Sequence, residues 1–394
     1  MRKIGMRDDA AVPFPEGTAR ILKLSEVRSL DDWQRAFQDQ YKDHRYYELI
    51  ERTLANDFDF RYLVLEDASG NVRAIQSVFF VRQNLIEGVR GFFRSLVESI
   101  RKSFPRFLTM RVLMIGCAAG AGELGAVDPR QQRWIAEALG PVLLNYARRN
   151  SASLIVFKDF LAQYREPLAA LSKYGYARVP SMPMTRLPVS FQNFDEYLSI
   201  LGYVSRKSLR RKLRKTEREA KIEMEVVTDI APVIDQLYPL YLQVHERSPM
   251  KFENLSKEFF LGAAREMPER ARFFIWRNGD QIVAFSLAFI FGDTLYDEVI
   301  GLDYDVALNL HLYFYTMRDV IRWAIEQKLR HYVSGPLNYD PKLHLGHELA
   351  PLDLYVRHTN NLLNPVFKLA LKYLEPTRHD PVLKKFPNAA ELTA

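Results

Sequence analysis

The sequence predicts a two-domain α/β (α+β) chain, with mixed, mostly antiparallel sheets flanked by helices. Three observations predict it. At 394 residues the chain is long for one core and sufficient for two. Its 48% hydrophobic and 26% charged content is that of a globular protein and excludes disordered, collagen-like and disulfide-rich classes. One order of elements is also read twice: strand, helices, three-stranded meander, helix, strand, short helix, strand.

In the first half, "ARILKLSEV" (19–27) reads as a strand, and a helical stretch runs from Leu30 to about Leu54 after a Ser29 cap. "FRYLVLED" and "VRAIQSVFFVRQ" flank "ASGN", where Gly70 and Asn71 can supply positive φ for a hairpin. "FLTMRVLMIG" is the next strand, followed by a glycine-rich loop and a helix from Pro129 to Arg149. "SLIVFKDF", "EPLAALSKYG" and "YARVPSMPMTRLPV" close the half as strand, short helix and strand.

The second half repeats the order. "IEMEVVTD" is a strand, Ala231 to Glu246 a helix, and "RFFIWRNGDQIVAFSLAFIF" a hairpin turning at Asn278 and Gly279. "TLYDEVIGL" is a strand, Leu310 to Lys328 a helix, and "RHYVSG" and "LDLYVRH" are strands. The expected bounds are 1–190, 191–361, and a C-terminal helix and tail over 362–394.

Residues 205–221, "SRKSLRRKLRKTEREAK", hold nine Lys and Arg in seventeen positions. Leu209, Leu213, Thr216 and Ala220 share one helical stripe that can dock, leaving the other faces basic. Five like-charge i,i+4 pairs, among them Arg206/Arg210 and Arg210/Arg214, cost about 0.2–0.5 kcal/mol each. Such a helix calls for a counter-anion, and with a net charge of only +7 the excess points to a local anionic partner.

Cys117 is the one cysteine and reads as a small buried hydrophobe, with no internal disulfide. No apolar run reaches the length of a membrane span and the N-terminus lacks a leader pattern, so the expected location is cytoplasmic. "GAGELG", Gly120 to Gly125, is formally GxGxxG. The helix does not open directly on it, so it is expected as a tight loop able to line a substrate cleft around Gly120 to Asp128, and not as a dinucleotide site. His344, His347 and Glu348 cluster in "KLHLGHE", but i,i+3 histidines across a glycine lack a third placed ligand, and no metal site is expected.

The run from Tyr296 to Gly346 resembles the BioF2-like acetyltransferase and FemAB-like families of the GCN5-related N-acetyltransferase (GNAT) fold. The likeness rests on Gly301 and Asp303 after a strand, "NL" at Asn309 and Leu310, Ala324 to Glu326 at a helix end, Gly335, and Tyr339, Lys342, Leu345 and Gly346. The basic segment before the second domain's first strand belongs to the same pattern. The resemblance implies tandem GNAT-like domains and transfer of an acyl group to an amine, with acyl-CoA as co-substrate and no tightly bound cofactor. One alternative is a FemAB-like aminoacyltransferase using aminoacyl-tRNA; another is a non-catalytic GNAT-fold binding protein.

Both donors carry phosphates, which gives Arg206, Arg210, Arg211 and Arg214 a ligand, with Lys342 and Asn309 as further contacts. Amide formation needs a proton acceptor for the amine and a donor for the leaving group. Asp297 and Glu298 are the candidate bases, on opposite faces of their strand. Tyr339 is a candidate acid and His347 a further base. The turn after Gly301 contains no glycine and carries Asp303 and Asp305, so phosphate binding by its bare backbone is not expected. Residues 86–108 form a basic amphipathic insertion that can meet a membrane surface or a long acyl chain, and "NPVFKLALKYLEP" near the C-terminus has a similar character.

Overall fold

The computed structural model describes residues 11–84 and 109–394. The insertion at 86–108 lies outside the described residues.

The first half runs through β1 (Val12–Phe14), β2 (Gly17–Leu22), α1 (Leu24–Val27), α2 (Asp32–Arg35) and α3 (His44–Leu54). The β3 (Asp59–Asp67), β4 (Val72–Asn84) and β5 (Thr109–Ile115) meander follows, then α4 (Gln132–Arg149), β6 (Leu154–Leu161), α5 (Arg165–Leu168) and β7 (Ala177–Pro188). The expected helix from Leu30 to Leu54 is broken. Asp43 stands in extended conformation and its carboxylate accepts from the Arg45 N–H, so it caps a new helix where continuation was expected.

The second half contains α6 (Phe194–Ile200), α7 (Tyr203–Glu219), β8 (Ile222–Val227), α8 (Ile234–Arg247) and α9 (Lys257–Glu266). Next come β9 (Ala271–Asn278), β10 (Gln281–Phe291), β11 (Thr294–Leu302), α10 (Tyr304–Ala307) and α11 (Leu312–Glu326). β12 (His331–Ser334), α12 (Tyr339–His344), β13 (Glu348–His358) and α13 (Asn364–Leu374) complete it. Gly70 and Gly279 take φ of +80° and +60° at the two hairpin turns. Asn71 does not; its N–H donates to Asp67 instead.

The chain forms two compact units, Met1–Ser181 with Leu352–Pro376 and Met182–Pro351 with Thr377–Ala394. In unit 1 the strands lie in the order β1-β2-β3-β4-β5-β6-β13, antiparallel except for β5 and β6. In unit 2 the order is β7-β12-β11-β10-β9-β8, antiparallel except for β11 and β12. The same sheet is thus built twice, and each copy takes its outermost strand from the other half of the sequence. The sequence-based bounds leave each last strand with its own half. Packing decides otherwise: Tyr355 of β13 joins the core containing Phe157 and Tyr176, and Leu187 of β7 joins the core containing Tyr332 and Leu295. Asp353, fully buried, meets Arg165 at 2.6 Å and fixes β13 beside α5.

Each core lies between the sheet and one long helix. Ile135, Leu139 and Leu143 of α4 cover Leu113 and Ile155. Leu312, Val320 and Ile321 of α11 cover Phe274 and Tyr332, and Leu209 and Leu213 of α7 join them. The predicted docking stripe of α7 is buried at Leu209, Leu213 and Thr216; Ala220 lies past the helix end in extended conformation. Cys117 is buried, which raises its thiol pKa.

Candidate active site

β11 and β12 run parallel only from Thr294/His331 to Asp297/Ser334. The last link is the Gly335 N–H, donating to the Asp297 carbonyl at 3.1 Å. Beyond it β11 continues to Leu302 while the other chain turns away, and Val299 to Leu302 pair with β10 on one side only. The other edge borders a cleft of about 80 Å³, lined by Asp297 to Ile300, Gly335, Lys342, and Tyr313 and Met317 of α11. Leu337 and Asn338 hold the departing chain at φ of +70° and +50°, a left-handed conformation that a bulky residue such as Leu rarely adopts. A Tyr313–Asn338 side-chain hydrogen bond ties this segment to α11.

Asp297 forms the floor. Its Oδ2 accepts from the Tyr332 hydroxyl at 2.7 Å and its Oδ1 from the Ser286 hydroxyl. Burial raises its pKa against these two hydrogen bonds and the nearby Lys342, with Glu298 adding to the rise. Lys342 donates to the Gly335 carbonyl, and burial pushes its ammonium down to about 7 although Asp297 works the other way. Glu298 sits where the β10/β11 register shifts, between Asp297 opposite Ala288 and Val299 opposite Leu287, and it lines the cleft beside Asp297.

The basic helix docks on the turn that opens α11. Thr216 Oγ1 of α7 donates to the Leu310 carbonyl at 2.5 Å, in the turn that opens α11. Lys212 Nζ sits 3.3 Å from the centre of the Phe314 ring. His311 is the α11 N-cap, at φ +47°, and offers the first turn no side-chain cap. Burial lowers its pKa, and the neighbouring Lys215, Lys212 and Arg211 lower it further. A non-glycine residue therefore makes the left-handed turn at the start of α11. Asp303 is held in the turn after β11: its Oδ1 accepts from the Asp305 N–H, capping α10, and its Oδ2 from Gln281 Nε2.

The expected residues divide around this geometry. Asp297, Glu298 and Lys342 come together in the cleft. Lys342 serves its floor, where Gly335 and Asp297 hold it, and not an exposed phosphate contact. Tyr339 is not a cleft residue: it is 2% exposed, its hydroxyl donates to the Pro183 carbonyl at 2.8 Å, and its ring meets Phe386. His347 is corrected likewise. It is buried, its Nδ1 lies 3.2 Å from Thr185 Oγ1, and burial pushes its pKa down to about 3, so it is neutral and enclosed. Asn309 is exposed in the turn before α11. Arg206 donates to the Ser199 carbonyl at 3.0 Å, and Arg210, Arg211 and Arg214 are exposed. Of these, Arg211 lowers the His311 pKa.

Lys212 and Lys215 were missed, and the signal was present: they adjoin the buried stripe Leu209–Leu213–Thr216, so they must lie at the docked edge of the helix. Tyr313 and Ser286 had no distinguishing sequence signal.

Unit 1 has the same divergence of parallel strands, β5 and β6 pairing from Val112/Leu154 to Ile115/Phe157. There the gap is filled. Gly122 bridges Phe160 and donates to the Asp159 carbonyl at 2.9 Å, and the Ile75 N–H donates to the Gly125 carbonyl at 2.8 Å. A Cβ on Gly122 would stand 2.3 Å from the Lys158 carbonyl oxygen, and one on Gly125 1.9 Å from that of Ile75. The glycines of "GAGELG" serve this close backbone insertion, which corrects the expectation of a loop lining a substrate cleft. Among the described residues, no group of three His, Cys, Asp or Glu is placed to hold a metal, and no helix is long and apolar enough to cross a membrane.

Residues 204–343 match the family model described as "Acetyltransferase (GNAT) domain". The second half thus carries a GNAT domain. "Putative 8-amino-7-oxononanoate synthase 2" of Mycobacterium tuberculosis is 23% identical over 320 residues, 79% of this chain. The chain spans 41% of the length of that curated relative. Among solved structures, the C-terminal domain (DUF2156) of "Putative Lysylphosphatidylglycerol Synthetase" from Agrobacterium fabrum aligns with a TM-score of 0.51 at 13% identity, over 88% of this chain and 95% of that one. FemX aligns with a TM-score of 0.50 at 11% identity, over 86% and 94%. These structural likenesses are likenesses of fold, and they agree with the tandem GNAT-like architecture.

Proposed function

We propose that the chain is an N-acyltransferase whose unit 2 takes an acyl group from an acyl-CoA thioester and delivers it to an amine. The observation that carries the reading is the open edge of β11 beyond Asp297. An acyl-CoA arm contains two amides and can add to such an edge as a further strand. Its phosphates then meet Lys212, Lys215 and the uncapped first turn of α11, where backbone N–H groups and cations favour anions. Gly335 leaves room, since even a Cβ there would approach nothing closer than 3.7 Å.

In the reaction, the neutral amine attacks the thioester carbonyl, a C–N bond forms and the C–S bond breaks. Glu298 accepts the amine proton, and N–H groups of the β11 edge steady the developing oxyanion. Tyr313, kept protonated because burial raises its pKa, is the donor for the departing thiolate. The Asp297–Tyr332–Ser286 cluster and Lys342 keep the floor in shape.

Aminoacyl-tRNA as donor is the second reading, supported by the exposed Arg210, Arg211 and Arg214 of α7. Thiol release from a series of acyl-CoA esters, measured with a panel of primary amines, tests the first. It predicts turnover that Glu298→Gln lowers by about 10²–10⁴-fold. No thiol release by the wild type, combined with salt-sensitive tRNA binding, would favour the second.

A further inference from the structure

Unit 1 carries a second basic feature, unrelated to the acyl-transfer cleft. A pocket of about 760 Å³ lies between α4, the Lys173–Gly175 turn, the end of β13 and the start of α13. Arg148, Lys173 and Arg357 line it, and no carboxylate does. Lys173 reaches Glu137 at 3.5 Å, whereas neither arginine meets a carboxylate among the described residues. Arg357 is 8% exposed, and its Nε is buried without a hydrogen-bond partner. Its other nitrogens donate to the Tyr174 carbonyl and, at 3.0 Å, to Asn361 Oδ1. Arg148 Nη2 donates to the same Asn361 oxygen at 3.0 Å. Two guanidinium groups therefore converge on one neutral amide oxygen. Burial, and then the charge of Arg148, lower the Arg357 pKa, a penalty that a bound anion relieves.

Beside this pocket stands an apolar surface. Leu362, Val366, Leu369 and Tyr373 fall at helical spacing along α13 and its approach, and are 86%, 65%, 62% and 78% exposed. The opposite side of α13 docks: Asn364 is buried and donates to the Gly175 carbonyl at 2.8 Å, and Phe367 meets His358. The fold thus fixes one face of this helix and leaves the other as a stripe of large apolar side chains, with the cation pocket at its first turn. Apolar side chains in a row next to two guanidinium groups whose partners, the Tyr174 and Thr359 carbonyls and Asn361, are all neutral complement an anionic bilayer, whose phosphates lie at the level of the acyl-chain boundary.

We propose that α13 lies in the surface of an anionic phospholipid membrane, with a lipid phosphate held between Arg148 and Arg357. The test is sedimentation of the full chain with vesicles of phosphatidylcholine, with and without about 30% phosphatidylglycerol. Wild-type protein is expected to bind the anionic vesicles at least about tenfold more tightly than the neutral ones. Val366→Ser with Leu369→Ser lowers that binding about tenfold or more, since exposed side chains lose only their membrane partner. Arg148→Gln lowers it about fivefold and narrows the preference for the anionic lipid. Unchanged melting temperatures show that both variants are folded; if Arg148→Gln melts early, the apolar pair alone decides. Wild type that ignores anionic vesicles, or variants that bind like wild type, overturn the proposal. So does a wild-type dimer that Val366→Ser with Leu369→Ser makes monomeric, which would assign the stripe to a second copy. Binding of inorganic phosphate without vesicle binding would assign the pocket to a free anion and overturn it equally.

Discussion

The Tyr332 hydroxyl donates to Asp297 Oδ2 at 2.7 Å, across the last turn of the β11/β12 pair. With Ser286 on the other oxygen, this commits Asp297 to holding the floor of the cleft. Tyr332→Phe is therefore expected to cost about 1–3 kcal/mol in urea unfolding, because a buried carboxylate loses a donor. Turnover should fall far less than for a base removal. A loss as large as that of Glu298→Gln would return the base role to Asp297.

Glu298→Gln is expected to lower kcat/KM by about 10²–10⁴-fold. Binding of the acyl donor should stay near the wild-type value. A variant that keeps kcat/KM within about threefold of wild type contradicts the assignment.

Lys342 gives a pH dependence of stability. Its pKa falls from an ordinary lysine value to about 7 on folding, so between pH 7 and roughly 10 the unfolded chain holds more protons on this group than the folded one. Its contribution to stability must then rise with pH across that window and be lost as pH falls toward 7. Melting temperatures of wild type and Lys342→Met, compared from pH 6.5 to 9.5, should show wild type gaining on the variant as pH rises. Parallel curves would mean that the ammonium is not desolvated.

On the basic helix, Lys212→Gln with Lys215→Gln should weaken CoA binding about tenfold or more, as expected for charge-assisted hydrogen bonds. Arg210→Gln with Arg214→Gln should leave it within about twofold and relieve about 0.2–0.5 kcal/mol per like-charge pair. The reverse ranking, read by calorimetry, would put the donor phosphates on the outer face of α7.

Gly122→Ala should destabilise unit 1 by about 1–3 kcal/mol or more, because its Cβ meets the Lys158 carbonyl oxygen. Acyl transfer per folded molecule should not change. An effect on transfer alone would give the loop a part in the chemistry.

Much of this was legible in local sequence. Alternation and turn glycines marked the meanders, and the Leu209–Leu213–Thr216 stripe announced that α7 docks with its charges outward. The exchange of β7 and β13 was not legible, since nothing local to Leu187 or Tyr355 says which core will receive them. Tyr339 and His347 belong to a motif-like element, but both are buried, with the Tyr339 hydroxyl on the Pro183 carbonyl and His347 Nδ1 beside the Thr185 hydroxyl. The glycines of "GAGELG" signalled close backbone approach, and only the fold reveals that the approaching backbone is the chain's own.

Amide hydrogen exchange with and without saturating acetyl-CoA reports whether the open edge of β11 receives the acyl donor. Added protection is expected at residues 298–302 of β11 and 312–316 of α11, with none at 116–126 in unit 1. Protection confined to unit 1, or none anywhere once acetyl-CoA is bound, would contradict binding of the donor at this edge.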